Sequence, residues 1–213
     1  MNFPYDMLDD PGLLAEYQGW DETVYADFLA LQRGELTEAQ FDRRYRRTRA
    51  ILVLDMTGFT ATAMNTGELA SLLRIFDAQK VCLPVLTRAG ASFVRCFADN
   101  LVALFDRPDP AADAALEIQR RIALFNATPL ASADPARCCI GIGFGPVYAI
   151  GPNLAQGDEM NRASKLGEDI ARGGEVLLTE KAAAALRARS DLRIEPQSVD
   201  DAQFSFFRLL ASA

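Results

Sequence analysis

The strand-like stretch ILVLDMTGFT, residues 51–60, restricts the possible folds of this chain more than any other feature of its sequence. Its apolar run is continuous, as in a strand buried on both faces, and it ends at an acid, Asp55, before a turn. A second acid, Asp99, lies between two short apolar segments in FVRCFADNLVALF, where we expect a hairpin turn. Either acid alone is better explained as a capping or turn residue. Together they predict a site for a divalent cation, Mg²⁺ or Mn²⁺, at the edge of a sheet.

Composition excludes several classes of function. The chain has 213 residues, of which 50% are hydrophobic, enough for one core and a small extension. Its net charge of −7 argues against binding nucleic acid or anionic lipid by charge neutralisation. No apolar run is long enough to span a membrane, and the start lacks the regions of a signal peptide. We therefore expect a cytoplasmic protein without nucleic-acid or membrane partners.

The absence of histidine restricts the chemistry further. It excludes serine–histidine and cysteine–histidine pairs and every histidine metal site. The four cysteines show no CxxC spacing and lie in apolar segments, which favours core thiols over a zinc site or disulfides. Catalysis would have to rest on carboxylates, metal ions, lysine or arginine.

Two regions differ in their pattern. Residues 1–48 carry apolar side chains at helical spacing, and Thr37 with Gln40 matches a capping box, so we predict a helical N-terminal extension. Residues 49–213 form the second predicted unit, which begins strand, helix, strand, strand, helix, strand. This order predicts the α+β class, with a ferredoxin-like βαββαβ core. We expect Pro84 to bend or end the first helix of that core.

Four ordered motifs carry a resemblance to a known family. LDMTGFT, VRCFADNLVALF, GIGFGPVYAIG and GDEMNRASKLGED resemble the catalytic domain of class III nucleotide cyclases, the adenylate and guanylate cyclase homology domain. The resemblance covers residues 49 to about 185. It implies a head-to-tail homodimer with active sites at the interface, which converts an NTP to a 3′,5′-cyclic NMP and pyrophosphate.

The resemblance also assigns roles by position. Asp55 and Asp99 match the two metal-binding aspartates, and the Met56 carbonyl matches a backbone ligand. Two divalent cations then make a histidine base unnecessary, because one can lower the pKa of the ribose 3′-hydroxyl while the other holds the triphosphate. Asn161 and Lys165 match the family's Asn-x-x-x-Arg, in which Asn orients the ribose and Arg stabilises the phosphorus transition state.

The turn that follows Met56 is the predicted phosphate-binding segment. Thr57, Gly58, Phe59 and Thr60 run into a helix, and backbone N–H groups at such a position can bind phosphate oxygens. An ordinary strand-to-helix turn would use the same residues.

The chain departs from the family at the arginine. Lys165 stands in its place, and lysine offers a point charge without the bidentate fork of a guanidinium. Near the C-terminus, SVDDAQFSFFRLL offers only Arg208 as a partner for the family's phosphate lysine. The alternative is therefore a catalytically inactive cyclase fold that serves as a dimerisation or regulatory module.

The two base-selecting positions are also unusual. They fall at Arg95 and Leu154, where adenylate cyclases have lysine and aspartate. An arginine side chain only donates hydrogen bonds, so it favours uracil, cytosine or guanine over adenine. Guanine would also need a carboxylate as an acceptor, and neither position supplies one. UTP is thus the favoured substrate and CTP the next, with ATP or GTP in an altered pocket as the alternative. Arg95 could equally be a surface residue paired with an acid.

Size and motif also point to a subtype. The short helical N-terminus and the motif MNRASKLGED resemble those of stand-alone bacterial pyrimidine cyclases of anti-phage signalling. This resemblance implies that the product is a second messenger.

Overall fold

The computed structural model describes residues 7–57, 67–129, 135–151, 154–198 and 204–212. Helices and strands are numbered in chain order within these ranges. None of the described helices is both long enough and apolar enough to cross a membrane.

The N-terminal segment consists of three short helices, α1 (Pro11–Gln18), α2 (Glu22–Gln32) and α3 (Glu38–Tyr45). The predicted capping box begins α3: the Gln40 N–H donates to Thr37 Oγ1 at 3.3 Å, and the Thr37 N–H donates to Gln40 Oε1 at 2.8 Å. Val24, Leu36 and Phe41 from this segment pack with Ile150 of the sheet in one apolar cluster.

The predicted βαββαβ order is confirmed. It comprises β1 (Arg46–Met56), α4 (Glu68–Arg88), β2 (Phe93–Phe97), β3 (Asn100–Phe105), α5 (Pro108–Asn126) and β4 (Cys138–Ile150). The order β2-β3-β1-β4, antiparallel throughout, is that of a ferredoxin-like sheet. The strand β1 is central because its continuous apolar run can be buried on both faces.

The C-terminal part extends this sheet. It comprises β5 (Leu154–Gln156), α6 (Asp158–Ser164), a π-helical segment (Lys165–Ile170), β6 (Val176–Thr179), α7 (Glu180–Leu186), β7 (Leu192–Gln197) and β8 (Phe206–Ala211). The full order is β2-β3-β1-β4-β6-β8-β7, with β5 paired to β4. Only the β4–β6 pair among the described strands is parallel.

The two faces of β1 bury different elements. Leu52 and Leu54 lie in the large core that includes residues of α4 and α5. Ile51 and Val53 lie on the opposite face, in a cluster with Ala163 of α6. Asp55 comes two residues after Val53, and side chains two apart on a strand lie on the same face of the sheet. Asp55 therefore points to the face covered by α6 and the π-helical segment.

Of the two predicted outcomes, that Pro84 bends or ends its helix, the second is wrong. The helix α4 continues through Pro84 to Arg88, and Arg88 Nε donates to the Pro84 carbonyl at 3.0 Å. Val85 and Leu86 are buried against the sheet. Their packing holds the last turn in place although proline supplies no N–H to the helix.

Candidate active site

The two predicted metal acids lie at the same end of neighbouring strands. Leu54 of β1 pairs with Leu101 of β3. Asp55 comes directly after Leu54, and Asp99 comes two residues before Leu101. Burial raises the pKa of Asp55 to about 6, and the negative charges of Asp99 and Glu168 contribute to the rise. The structure therefore brings Asp55 and Asp99 together, as the sequence predicts, in a position where a cation would relieve their repulsion.

Two further acids, which sequence reasoning missed, approach this pair. Glu168 and Asp169 lie in the π-helical segment, and the charge of each raises the pKa of Asp55. The pKa of Glu168 is itself raised by burial, by Asp169 and by Asp99. The available signal was the Glu-Asp pair that closes the motif MNRASKLGED. Its approach to Asp55 depends on the π-helical turn, which the sequence does not reveal.

The donor set of Asp55 and Asp99 fits a hard divalent cation. Carboxylate oxygens are the ligands that Mg²⁺ and Mn²⁺ prefer. Among the residues that the structure describes, no three acidic, histidine or cysteine side chains are arranged to hold a metal ion. Asp55 and Asp99 would therefore hold a cation together with other oxygens, such as the Met56 carbonyl, water and a triphosphate.

The phosphate-binding prediction fails at Thr57. Its N–H donates to the Arg137 carbonyl at 2.9 Å, and its hydroxyl lies 2.9 Å from the Cys139 sulfur. Both polar groups of Thr57 thus anchor the end of β1 to β4, and its N–H is not available to a phosphate. Gly58, Phe59 and Thr60 lie outside the described residues.

The predicted pair Asn161 and Lys165 lies in one cleft. The cleft has a volume of about 230 Å³, and the described residues that line it are Asp158, Asn161, Arg162, Lys165 and Phe204. Asn161 is in α6, and Lys165 is the first residue of the π-helical segment. Their spacing of four residues places both side chains on one face.

Glycines let this helix lie directly on the sheet. A Cβ atom at Gly141 of β4 would lie 2.1 Å from the Ala163 carbonyl oxygen, and one at Gly167 would lie 2.8 Å from the Val53 carbonyl oxygen. These contacts explain why the motif GIGFG is rich in glycine. They set how closely the helix that carries Asn161 and Lys165 packs against the sheet.

A buried carboxylate fixes the same helix from its first turn. Glu159 is only 2% exposed, yet its carboxylate has three partners. It accepts hydrogen bonds from the Phe144 N–H at 3.2 Å and the Thr179 hydroxyl at 2.8 Å, and Lys181 Nζ lies 3.1 Å from it. Glu159 therefore ties α6 to β4, β6 and α7 at once.

We expect Glu159→Ala to destabilise the fold markedly. The change leaves the Phe144 N–H and the Thr179 hydroxyl without their acceptor, at about 1–3 kcal/mol for each unpaired buried donor. The free energy of unfolding, measured by urea denaturation, should fall by about 2–6 kcal/mol. The exposed Glu35 is the matched control, and Glu35→Ala should stay within about 0.5 kcal/mol of wild type. Equal losses in the two variants would contradict this role of Glu159.

Solved structures of nucleotide cyclases share this architecture. The adenylate/guanylate cyclase/hydrolase from Silicibacter pomeroyi is 25% identical, with a TM-score of 0.61 over 77% of this chain and 95% of that one. The guanylate cyclase domain of RhGC from Catenaria anguillulae, in complex with GTP, is 17% identical (TM-score 0.65, 78% and 98% covered). A non-canonical dimeric guanylyl cyclase domain from the aquatic fungus Blastocladiella emersonii is 16% identical (TM-score 0.66, 78% and 97% covered).

The chain has the class III nucleotide cyclase fold. The resemblance in the four sequence motifs and the likeness of the folds agree on this point. No protein-family model and no curated protein matches the chain by sequence.

Within the cyclase fold, Arg95 lies on the same face of the sheet as Asp55. Arg95 pairs with Val102 of β3, which in turn pairs with Val53 of β1. The side chain of Arg95 is exposed, and its guanidinium carbon lies 5.6 Å from the centre of the Phe97 ring.

Leu154 does not point toward Arg95. Its side chain packs into the apolar cluster of the N-terminal helices, with Phe41 and Ile150. The next residue, Ala155, joins the cluster that contains Phe93 of β2 instead. Because side chains alternate along a strand, the face of β5 nearer to Arg95 carries Ala155 rather than Leu154. The structure thus separates the two predicted base-binding side chains.

The predicted metal acids and the pair Asn161 and Lys165 do not line the same cleft among the described residues. Neither Asp55 nor Asp99 is among the described residues that line the cleft of Asn161 and Lys165. The π-helical segment that begins at Lys165 connects the two, because its Glu168 acts on Asp55.

Proposed function

We propose that the protein is a metal-dependent nucleotide cyclase that converts UTP, or CTP, to the 3′,5′-cyclic NMP and pyrophosphate. The observation that carries this proposal is the convergence of Asp55 and Asp99 on one end of a cyclase-fold sheet, where burial and mutual repulsion raise the pKa of Asp55. At such a position, two neighbouring carboxylates that bind a divalent cation are more stable than the same carboxylates without a counter-charge.

The reaction forms one bond and breaks another at the α-phosphorus. The ribose 3′-hydroxyl loses its proton to water and its oxygen attacks, the bond to the bridging oxygen of the β-phosphate breaks, and pyrophosphate leaves with that electron pair. Two divalent cations, when bound, would neutralise the triphosphate and lower the pKa of the 3′-hydroxyl. The carboxylates of Asp55 and Asp99 and the Met56 carbonyl would hold these cations at the sheet edge.

The residues of the cleft would position the substrate. Asn161 can donate to or accept from ribose oxygens, and Lys165 places a positive charge beside the phosphates, where it favours the transition state. The glycine contacts and the buried carboxylate of Glu159 hold both residues on a rigid helix. Rigid support of this kind keeps reactive groups in the productive geometry.

We propose a symmetric homodimer in which each active site combines the acids of one copy with the cleft of the other. Two observations support it. Asp55 and Asp99 are not among the described residues that line the cleft, and one similar structure is of a dimeric guanylyl cyclase domain. In a two-fold arrangement each copy gives its acids to one site and its cleft to the other.

The preference for a pyrimidine rests on Arg95. Its guanidinium only donates, and it lies on the sheet face that carries Asp55. Leu154 contributes no polar group to the base. An adenylate or guanylate cyclase with an altered pocket is the second candidate, since a similar domain was solved with GTP.

Arg95→Ala should reduce discrimination among bases. If Arg95 donates to a base carbonyl, its loss costs about 1–3 kcal/mol, which lowers kcat/KM for UTP roughly 5- to 150-fold. Nucleotides that the wild type uses poorly should change little. Arg193 is the matched control, because it lies on the opposite edge strand and pairs with the acid two residues on. An equal fall in kcat/KM for UTP, CTP, GTP and ATP would show that Arg95 binds the phosphates or stabilises the fold and does not select the base.

The choice of substrate is tested by incubating the protein with all four NTPs and Mn²⁺ in competition. Products are identified by mass spectrometry. We expect cyclic UMP in excess, followed by cyclic CMP. Cyclic AMP or cyclic GMP as the main product would overturn the pyrimidine assignment, and no cyclic product from any NTP would favour an inactive cyclase-fold module.

A role in bacterial anti-phage signalling is part of the proposal. It is supported by the resemblance of the helical N-terminus and the motif MNRASKLGED to stand-alone pyrimidine cyclases. In that role the cyclic nucleotide would act as a second messenger.

A further inference from the structure

The cleft of Asn161 and Lys165 contains a second cation that the family motif does not assign. Arg162 lines the cleft together with these two residues and with Asp158 and Phe204. Arg162 and Lys165 are three residues apart, so their side chains lie on neighbouring positions of one helix face. The cleft therefore carries a guanidinium even though the arginine of the motif is replaced by Lys165.

The guanidinium of Arg162 is held by two contacts. Its Nε donates to the Asp158 carboxylate at 3.0 Å, and its central carbon lies 5.1 Å from the centre of the Phe204 ring. An acid on one edge and an aromatic ring on one face fix the plane of the group.

The two Nη nitrogens form the other edge of the guanidinium. Among the described residues, no side chain or carbonyl accepts a hydrogen bond from either Nη of Arg162. Only the Nε edge is committed to Asp158. The two Nη nitrogens can donate to a phosphate group, the ligand that a guanidinium binds with charge-assisted hydrogen bonds.

We propose that Arg162 is a catalytic residue that donates to the phosphates of the NTP during cyclisation and replaces the arginine missing at position 165. This inference rests on the proposed cyclase function and adds a residue to it. In this arrangement Lys165 supplies a point charge, and Arg162 supplies the directed donors that lysine lacks. Both stabilise negative charge as the bond to the β-phosphate breaks.

An ordinary surface ion pair would make a different contribution. An exposed ion pair within one helix adds little to stability and nothing to catalysis. Arg120 provides that comparison, because it pairs with Glu117 on its own helix α5 and does not line the cleft. Arg120→Ala should keep the kcat of the wild type.

The test compares kcat and KM for Arg162→Ala, Arg162→Lys and Arg120→Ala. We expect Arg162→Ala to lower kcat by about 100- to 1,000-fold, as when one transition-state donor is removed, with a smaller change in KM. Arg162→Lys keeps the charge and the alkyl chain, and should lose at least about tenfold in kcat because the fork is gone. If Arg162→Ala fails to fold by circular dichroism, Arg162→Lys alone decides the matter.

A rescue experiment separates catalysis from packing. In the double variant Arg162→Ala with Lys165→Arg, a guanidinium returns to the same cleft from the position that the family uses. We expect Lys165→Arg to raise kcat at least about tenfold more in the Arg162→Ala background than in the wild type, whereas a structural role of Arg162 predicts the same gain in both backgrounds.

Two results would overturn the proposal in distinguishable ways. If the wild type cyclises an NTP while Arg162→Lys retains full kcat, or if Lys165→Arg has the same effect on kcat with and without Arg162, only the role of Arg162 falls. If the wild type forms no cyclic product from any of the four NTPs, the proposed function fails and this inference fails with it.

Discussion

Replacing either Asp55 or Asp99 by alanine should abolish cyclisation and leave the fold intact. Each change removes one carboxylate from the cation site, and a loss of about 4 kcal/mol of transition-state stabilisation corresponds to about 1,000-fold in kcat. The measurement is cyclic-product formation at saturating Mn²⁺. Asp106 is the matched control, since it is an exposed acid just after β3, and Asp106→Ala should retain wild-type activity. Substantial turnover in the Asp55 or Asp99 variant would refute the metal assignment.

Removing the charge of Asp55, which should abolish activity, should not reduce the stability of the fold. Because burial and neighbouring acids raise the pKa of Asp55 from 3.8 to about 6, its carboxylate is harder to ionise in the folded than in the unfolded chain. The folded state then binds more protons between these values, so the contribution of this group to stability falls as pH rises through that window. In metal-free buffer above pH 6, we therefore expect Asp55→Asn to be at least as stable as wild type. A clear loss of stability would mean that Asp55 is a structural residue.

Mixing two inactive variants should restore activity if the active site is shared between two copies. One chain carries Asp55→Ala and the other carries Lys165→Ala. In a heterodimer, one site then combines intact acids from the second chain with an intact cleft from the first. At a one-to-one mixture, half of the dimers are mixed and each has one of two sites intact, so activity should reach about a quarter of wild type.

The control for this experiment is each variant incubated alone, which should stay inactive. Heterodimer formation is verified by native mass spectrometry of chains with different tags. If verified heterodimers show no activity, acids and cleft must act within one chain. The shared-site arrangement would then be wrong.

Local patterns allowed much of the fold to be predicted from sequence. The apolar run before Asp55 and the two short segments around Asp99 define β1 and the hairpin, because a buried strand and a tight turn leave strong local signals. The capping box of Thr37 and Gln40 is equally local.

The residues that sequence reasoning missed depend on contacts between distant elements. Glu168 approaches Asp55 through a π-helical turn, and Glu159 finds its partners on β4, β6 and α7. Such contacts leave no periodic signal in the chain. The orientation of Leu154 and the hydrogen bond from Thr57 to the Arg137 carbonyl are likewise set by neighbouring strands. Motif position alone placed both residues in roles that the structure does not support.

The reaction itself is tested most directly by following UTP with ³¹P nuclear magnetic resonance in the presence of protein and Mg²⁺. A cyclase must convert the three signals of the triphosphate into one cyclic phosphodiester signal and pyrophosphate, in equal amounts. We predict that outcome for the wild type and no change for Asp55→Ala. Formation of UDP and orthophosphate, or an unchanged triphosphate with UTP and every other NTP, would contradict the proposed activity.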